Sequence, residues 1–277
     1  APTQSAPLGG QSQAPAPVVS RRPPKGKRLF NVLHLFSGPS AREDGISAIL
    51  KQIGCSCTDI DIENVSTSML LERCDLTSDH LWLELISRVS KLEFTFVWMG
   101  TPCTTFSRAR QGPPGPVPLR TMDQIYGRPQ CELSQLDVDA LKQGNYFALK
   151  SADMAWTCLR SGVGFGIENP EPYPGAPSLF LFTEFLELQA ARGVNVVNFD
   201  QCTLGAETCK PTRIVYSGID LSSLNSRCDH PAQEWVFKDW AGKTRTKWGA
   251  HPPLFGRRRE SGEPATKASS AYPYRLN

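Results

Sequence analysis

The sequence lacks a long hydrophobic run, so we do not expect a membrane-spanning helix. None of its apolar stretches approaches the ~20 residues that such a helix requires. The first residues are rich in proline and glutamine and contain no apolar segment of the kind found in a signal peptide. We therefore expect an intracellular protein with no membrane partner, nuclear if its source is a eukaryote. Because the chain starts at Ala1 and not at a methionine, we also expect it to be part of a larger polypeptide.

Paired cysteines of the Cys-x-x-Cys type are also missing, although the chain contains nine cysteines. An odd number at irregular spacing, without a secretory signal, argues against a disulfide framework and favours reduced thiols. Cys202, Cys209, Cys228 and His230 offer a candidate zinc set, but their spacing lacks the paired knuckle that makes such a prediction strong. We therefore predict no metal site and expect most of the cysteines to be small buried residues.

Acidic residues are absent from residues 1–30, which contain five basic ones. Residues 238–277 contain nine basic and three acidic residues, so the middle of this chain of net charge +3 is acidic. Basic flanks around an acidic body suit a polyanionic partner such as nucleic acid. The alternative is that these basic segments are solvated and bind nothing specific.

The composition divides the chain into three parts. Residues 1–28 are rich in Pro, Gln, Ser and Gly and lack apolar periodicity, so we predict a disordered basic arm. From residue 29 to 220, short apolar runs alternate with amphipathic segments, which predicts an α/β domain with a doubly wound, mostly parallel sheet. Residues 221–277 are basic, hold three of the six tryptophans and show no clear periodicity. We expect them to form a satellite unit or an extension that orders on a partner.

Six runs are predicted as strands: RLFNVLHLF, CSCTDIDI, EFTFVWMG, VGFGIEN, VNVVNFDQC and TRIVYSG. Helices are predicted over AREDGISAILKQIG, DHLWLELISRVSKL, YFALKSADMAWTCLRSG and SLFLFTEFLELQAARG. The loop SRARQGPPGPVPLRTMDQIYGRPQ is too long and too rich in Pro and Gly for a plain connector. We expect it to be functional or disordered.

Polar residues follow the ends of the predicted strands, where ligands bind in sheets of this class. LHLFSGPS is a turn before a helix, and such a turn brings backbone N–H groups close to a ligand. Asp59, Asp61 and Glu63 follow the second strand, where an acid can accept hydrogen bonds from a ribose, although Asp is equally common as a turn former. Asp75 precedes a helix, so helix capping competes with ligand binding at that position.

The stretch FVWMGTPCTTFSRAR places Cys103 shortly after a buried strand, with Pro102 fixing the backbone before it. Exposure at the edge of the sheet, near a helix start, favours the thiolate over the thiol. GIENPEPY places Glu168 at the end of another strand, and the following proline directs this side chain toward the same cleft. A thiol and a carboxylic acid at neighbouring strand ends form a candidate nucleophile and proton-handling pair. The alternative for Cys103 is a structural thiol.

Together these motifs resemble the cytosine carbon-5 DNA methyltransferase family. LHLFSGPS is similar to its first cofactor motif, TPCTTFS to its proline–cysteine nucleophile motif and IENP to its Glu-Asn motif. DIDIEN and CDLTS match the positions of its ribose- and adenine-contacting acids. With DQCTLGAETCKPT included, the chain looks most like the divergent branch found in phage and in mobile-element polyproteins. The resemblance covers roughly residues 29–217.

The resemblance implies transfer of a methyl group from S-adenosylmethionine to carbon 5 of a cytosine that is flipped out of duplex DNA. Cys103 would attack carbon 6, Glu168 would hold and protonate N3, and Arg213 would lie near the substrate. The implied cofactor contacts are Phe36, Ser37, Gly38, Asp59, Ile60, Asp61, Asp75, Leu76 and Pro102. The implied substrate contacts are Pro102, Arg108, Arg110 and Asn169, of which the two arginines would bind phosphate or anchor their loop.

Two functions stay open on these residues. One is an active methyltransferase on DNA, or on RNA, because the resemblance does not fix the nucleic acid. The other is a degenerate module of a mobile-element polyprotein that binds nucleic acid or a partner. The Cys103–Glu168 pair favours the enzyme. The first motif, in which His34, Ser40 and Ala41 stand in place of the family's acid and glycines, favours the module. We predict the enzyme.

Overall fold

Six strands form one sheet with α-helices on both of its faces. The computed structural model describes residues 30–39, 45–64, 74–106, 117–239 and 241–254. The strands of this sheet are β1 (Asn31–Leu35), β2 (Ser56–Ile60), β3 (Phe96–Met99), β4 (Gly164–Pro170), β5 (Asn195–Asp200) and β6 (Pro211–Ser217). The helices are α1 (Ile46–Gln52), α2 (Asp79–Ser90), α3 (Gln135–Ser161) and α4 (Thr183–Ala190). Within the described ranges, no helix is both long enough and apolar enough to span a membrane.

The strands lie in the spatial order β2-β1-β3-β4-β6-β5. β1 pairs in parallel with β2 and β3, and β3 pairs in parallel with β4, whereas β6 is antiparallel to both β4 and β5. The six predicted strands and the α/β class with a mostly parallel sheet are thus confirmed. The chain passes from β1 to β2 on one side and then crosses to β3 on the other. The carboxyl ends of β1 and β3 therefore form the switch point of the sheet. Open sheets of this kind bind their ligands there, and the space beside these strand ends is called the crevice below.

Alternating side chains along the strands build an apolar layer on each face of the sheet. Leu33 and Leu35 of β1 belong to the layer that includes side chains of α2, α3 and α4. Val32 belongs to the opposite layer, which includes Ile46 of α1 and Trp98 of β3. Both faces of the central strand β3 are covered, and this is why its sequence FVWM is apolar throughout.

Helix α3 is longer than its sequence pattern predicts. It begins at Gln135, well before the predicted start at Tyr146, and the hydroxyl of Ser134 accepts a hydrogen bond from the N–H of Asp137 (3.2 Å) as the N-cap. Gly144 within the helix is a poor helix former. A Cβ there would stand 2.7 Å from the Oγ1 of Thr105, so the glycine permits a close approach of helix and loop.

The residues after Leu221 contain a small two-stranded sheet that periodicity did not predict. Its strands, β7 (Gln233–Lys238) and β8 (Thr244–Gly249), are antiparallel and largely exposed, so they lack the apolar alternation of a half-buried strand. The segment before β7 contacts the main sheet through Arg227, which donates two hydrogen bonds to Glu171 (2.6 and 2.7 Å). The division at residue 220 stays a prediction, and the basic arm (1–28) and residues 255–277 lie outside the described residues.

Candidate active site

Cys103 lies in the turn that follows β3, beside the crevice. The N–H of Phe106 donates to the carbonyl of Cys103 (2.9 Å), which closes the turn. Asn169 of β4 donates from Nδ2 to the carbonyl of Thr101 (2.6 Å), and the hydroxyl of Thr101 is hydrogen-bonded to that of Ser151 in α3 (2.9 Å). The turn that carries the predicted nucleophile is therefore fixed to a neighbouring strand and to a helix.

Glu168 and Lys210 meet at the same edge of the sheet. Antiparallel pairing of β6 with β4 sets Thr212 opposite Pro170, which brings the start of β6 to the end of β4. The Nζ of Lys210 lies 3.5 Å from the Oε1 of Glu168, and both side chains are largely buried. Both charges act on the Cys103 thiol. A thiol, a carboxylate and an ammonium group therefore converge at the carboxyl ends of β3 and β4.

Burial is the main influence on the Cys103 thiol, and it raises the thiol pKa. Lys210 lowers this pKa and Glu168 raises it, and the net result is a pKa above the ordinary value. The prediction that the strand-end position favours the thiolate is wrong, because desolvation outweighs the electrostatic gain. Burial also lowers the pKa of Lys210, but the charges of Glu168 and Cys103 more than compensate and raise it overall. Lys210 is therefore a stable positive charge beside the thiol.

Arg213 makes its contacts elsewhere. Its guanidinium donates from Nε to Oδ1 of Asn198 (2.8 Å) and from Nη1 to Oε1 of Gln189 (3.1 Å). These partners belong to β5 and α4, so the cation next to Glu168 is Lys210, three residues earlier. The motif resemblance pointed to Arg213, and spacing alone does not single out Lys210.

Arg120 is a residue of this region that the sequence reasoning missed. It is fully buried, and burial lowers its pKa to about 10. Its guanidinium donates hydrogen bonds to Thr105 Oγ1 (2.9 and 3.3 Å), Ile125 O (2.9 Å) and Asn145 Oδ1 (2.8 Å), and it lies 4.0 Å from the ring centroid of Phe106. Arg120 thus ties the long Pro- and Gly-rich loop to the turn of Cys103. Nothing in the sequence distinguishes Arg120 from the other three arginines of this loop.

Two of the four predicted substrate contacts lie among the described residues. Pro102 directly precedes Cys103 and is partly buried at the crevice. Asn169 is buried, with Nδ2 bonded to the nucleophile turn, while its Oδ1 has no hydrogen-bond partner among the described residues. Arg108 and Arg110 lie outside the described residues, as do Ser40 and Ala41 of the first motif.

The turn after β1 forms a second wall of the crevice. Phe36 and Gly38 both adopt left-handed backbone conformations, with φ of 58° and 68°. A Cβ at Gly38 would meet no atom of the described residues within 4 Å. The N–H of Gly38 donates to the Oδ2 of Asp61 (2.9 Å), and the Ser37 hydroxyl accepts from Asn64 Nδ2 (3.1 Å). The predicted cofactor residues Phe36, Ser37, Gly38 and Asp61 therefore lie together.

The two acids of the second strand differ in position. The Asp59 carboxylate binds the Nζ of Lys51 (2.8 Å) and the hydroxyl of Ser47, both on α1. Asp61 faces the turn after β1 instead, and its Oδ1 also accepts from the N–H of Glu63 (3.0 Å). Of the two candidates for a ribose contact, the geometry favours Asp61.

The remaining predicted cofactor residues have structural roles in this fold. The side chains of Ile60 and Leu76 are part of the apolar core. The Oδ1 of Asp75 accepts from the N–H and the hydroxyl of Thr77 (2.9 and 2.7 Å), which is a turn just before α2. A ligand contact and a turn role are compatible for Asp75, because a carboxylate accepts several hydrogen bonds.

A scan against protein-family models finds no match for this chain, and a search of the curated proteins finds none either.

Proposed function

We propose that this chain transfers a methyl group from S-adenosylmethionine to carbon 5 of cytosine in DNA, with Cys103 as the covalent nucleophile. The observation that supports this best is the convergence of Cys103, Glu168 and Lys210 beside a crevice at the switch point of an α/β sheet. In this proposal the sheet is of the S-adenosylmethionine-dependent methyltransferase type, as the motif resemblance implies.

The crevice residues fit an adenosyl cofactor. A Cβ at Gly38 would contact none of the described residues, so among them nothing prevents a ligand from approaching this backbone closely. Asp61 is held by two backbone N–H groups and keeps lone pairs for ribose hydroxyl groups. The exposed side chain of Ile62 beside it offers an apolar surface for the adenine ring. When bound, the cofactor supplies the electrophilic methyl group that carbon 5 takes up.

The protein side chains supply the remaining chemistry. The Cys103 sulfur forms a bond to carbon 6 of the flipped cytosine, while Glu168 holds a proton at N3 so that the ring's electron pair moves to carbon 5. After methylation, carbon 5 loses its proton to water, and the electron pair of that bond restores the ring double bond. The carbon–sulfur bond breaks with its electron pair leaving on sulfur, and N3 returns its proton to Glu168. These steps return the thiolate and an uncharged 5-methylcytosine, so one methyl group has replaced one proton. The hydrogen bond from Asn169 to the Thr101 carbonyl would hold the turn of Cys103 in a fixed position relative to Glu168 during the reaction.

A 5-fluorocytosine oligonucleotide tests the proposal, because fluorine at carbon 5 does not leave as a proton and the adduct persists. With S-adenosylmethionine present, we expect intact-mass analysis to show one methylated oligonucleotide bound per chain. Cys103→Ala should form no adduct, whereas Cys131→Ala, which changes an exposed cysteine outside the crevice, should react as the wild type.

Duplex DNA, single-stranded DNA and RNA are compared in parallel. We expect the adduct on DNA. An adduct on RNA alone would replace DNA by RNA as the substrate. No adduct on any of the three would overturn the proposal and favour the nucleic-acid-binding module.

A further inference from the structure

Two cysteines and two histidines converge beside the carboxyl end of β5. Cys202 lies in the turn Gln201–Leu204 after β5, Cys228 and His230 lie just before β7, and His251 follows β8. Their potential ligand atoms all lie within 4.8 Å of one another. We propose that these four side chains bind a structural zinc ion.

The distances match a tetrahedral site. Zinc–sulfur bonds of about 2.3 Å and zinc–nitrogen bonds of about 2.0–2.1 Å place sulfur and nitrogen ligands about 3.5 Å apart, and two nitrogens about 3.3 Å apart. The Sγ of Cys228 lies 3.4 Å from Nδ1 of His230 and 3.3 Å from Nε2 of His251. The two histidine nitrogens are 3.1 Å apart. Three edges of the tetrahedron are thus already close to the length that zinc requires.

Neighbouring groups orient two of the ligands. The Nδ1 of His251 lies 2.9 Å from the carbonyl oxygen of Glu207, which only accepts, so Nδ1 carries the hydrogen and Nε2 keeps its lone pair for the metal. The backbone N–H of Cys228 donates to the Oδ2 of Asp200 (2.8 Å), which fixes the segment that carries this thiol. Such supporting contacts are typical of metal ligands.

Four protein ligands leave no open coordination position, which is the pattern of a structural site. The site would join three segments that are distant in sequence: the turn after β5, the segment before β7 and the segment after β8. Strands β7 and β8 are largely exposed, so apolar packing contributes little to holding them against the sheet. The prediction of no metal was made from spacing alone, and His251, twenty-one residues beyond His230, did not enter the candidate set.

Metal analysis of the full chain, purified without chelator, tests the proposal. We expect one zinc per chain in the wild type and at least a tenfold lower content in Cys228→Ser and in His251→Ala. Cys131→Ser and His80→Ala are matched controls, because both side chains are exposed and lie outside the cluster. They should retain one zinc per chain.

Cobalt(II) gives a second measurement on the wild type, so the test does not depend on a variant that folds. Chelator-treated protein should take up one cobalt and show the visible bands of a tetrahedral ion together with thiolate-to-cobalt charge transfer. Chelation should also speed amide hydrogen exchange in β7 and β8 while β3 and β4 stay protected. Cys209, a hydrogen-bonding neighbour of Cys202, is not in the proposed set, so Cys209→Ser should keep the metal.

A wild-type chain that holds no zinc and gives no tetrahedral cobalt spectrum would overturn the proposal. Full zinc content in Cys228→Ser would do the same. Loss of zinc from Cys209→Ser, with retention in His230→Ala, would show a different ligand set and overturn the assignment. None of these measurements uses methyl transfer, so their outcome is independent of the proposed function.

Discussion

The ion pair between Lys210 and Glu168 should matter to stability because it is buried. Its atoms are 3.5 Å apart, and the two side chains are only 14% and 7% exposed. At an effective dielectric constant of about 20, two unit charges at this distance attract by about 5 kcal/mol. Much of that attraction offsets the cost of removing both charges from water. Lys210→Met leaves the Glu168 charge buried without its counter-charge, and we expect it to lower the free energy of unfolding by about 3 kcal/mol.

Denaturant unfolding of the wild type, Lys210→Met, Glu168→Gln and the double variant measures the coupling. The double variant should lose less stability than the sum of the single changes, because it removes both charges together. Arg128–Glu132 is the control: its atoms are closer, at 2.7 Å, but its side chains are 29% and 43% exposed. Arg128→Met should cost only about 0.5 kcal/mol. Equal costs for Lys210→Met and Arg128→Met would refute the reasoning that burial decides the strength of the pair.

Three further experiments test the crevice and the residues that hold its turns in place. Arg120→Met should lower the free energy of unfolding by about 3 kcal/mol, because it leaves the buried hydrogen-bond partners at Thr105 and in the loop unsatisfied. An unchanged denaturation midpoint would contradict this prediction. Gly38→Ala should lower the free energy of unfolding by only about 1 kcal/mol, because alanine is strained in the left-handed conformation of this residue. The same change should weaken S-adenosylmethionine binding several-fold, as measured by calorimetry. Unaltered affinity would show that the cofactor does not bind against this turn. The rate of Cys103 alkylation, followed by peptide mass spectrometry, should rise with pH through a midpoint above the ordinary cysteine value of about 8.5, since burial raises the pKa of this thiol. Lys210→Met should move that midpoint still higher, and a midpoint that falls would contradict the placement of the lysine.

The sheet could be predicted because each of its strands is an apolar run between glycines, prolines and polar turns. The direction of β6 could not, since TRIVYSG has the same alternation whichever way it pairs. The early start of α3 is not predicted because Gly144, a poor helix former, interrupts the segment, although Val138 and Leu141 before it are buried at helical spacing.

Only those site residues that lie at the ends of predicted strands could be predicted from the sequence. Cys103 follows β3, and Glu168 lies near the carboxyl end of its parallel neighbour β4, so both residues must lie at one edge of the sheet. The choice between Lys210 and Arg213 depends on where β6 begins relative to β4, which is a matter of register between segments far apart in the chain. The cluster around Cys228 depends on three separate segments, and no local spacing encodes such an arrangement.

The charges of Glu168 and Lys210 explain how Cys103, a partly buried thiol, can act as a nucleophile in the proposed reaction. While Glu168 is ionised, its charge raises the pKa of the Cys103 thiol and opposes the effect of Lys210. When a bound cytosine brings N3 to Glu168, the carboxylate takes up a proton from water and donates it to N3, which removes that negative charge from the site. Lys210 then acts on Cys103 without opposition, and the thiolate becomes more stable. The thiol is thus expected to be least reactive while the pocket is open to water, and most reactive once the base whose carbon 6 it attacks is in place.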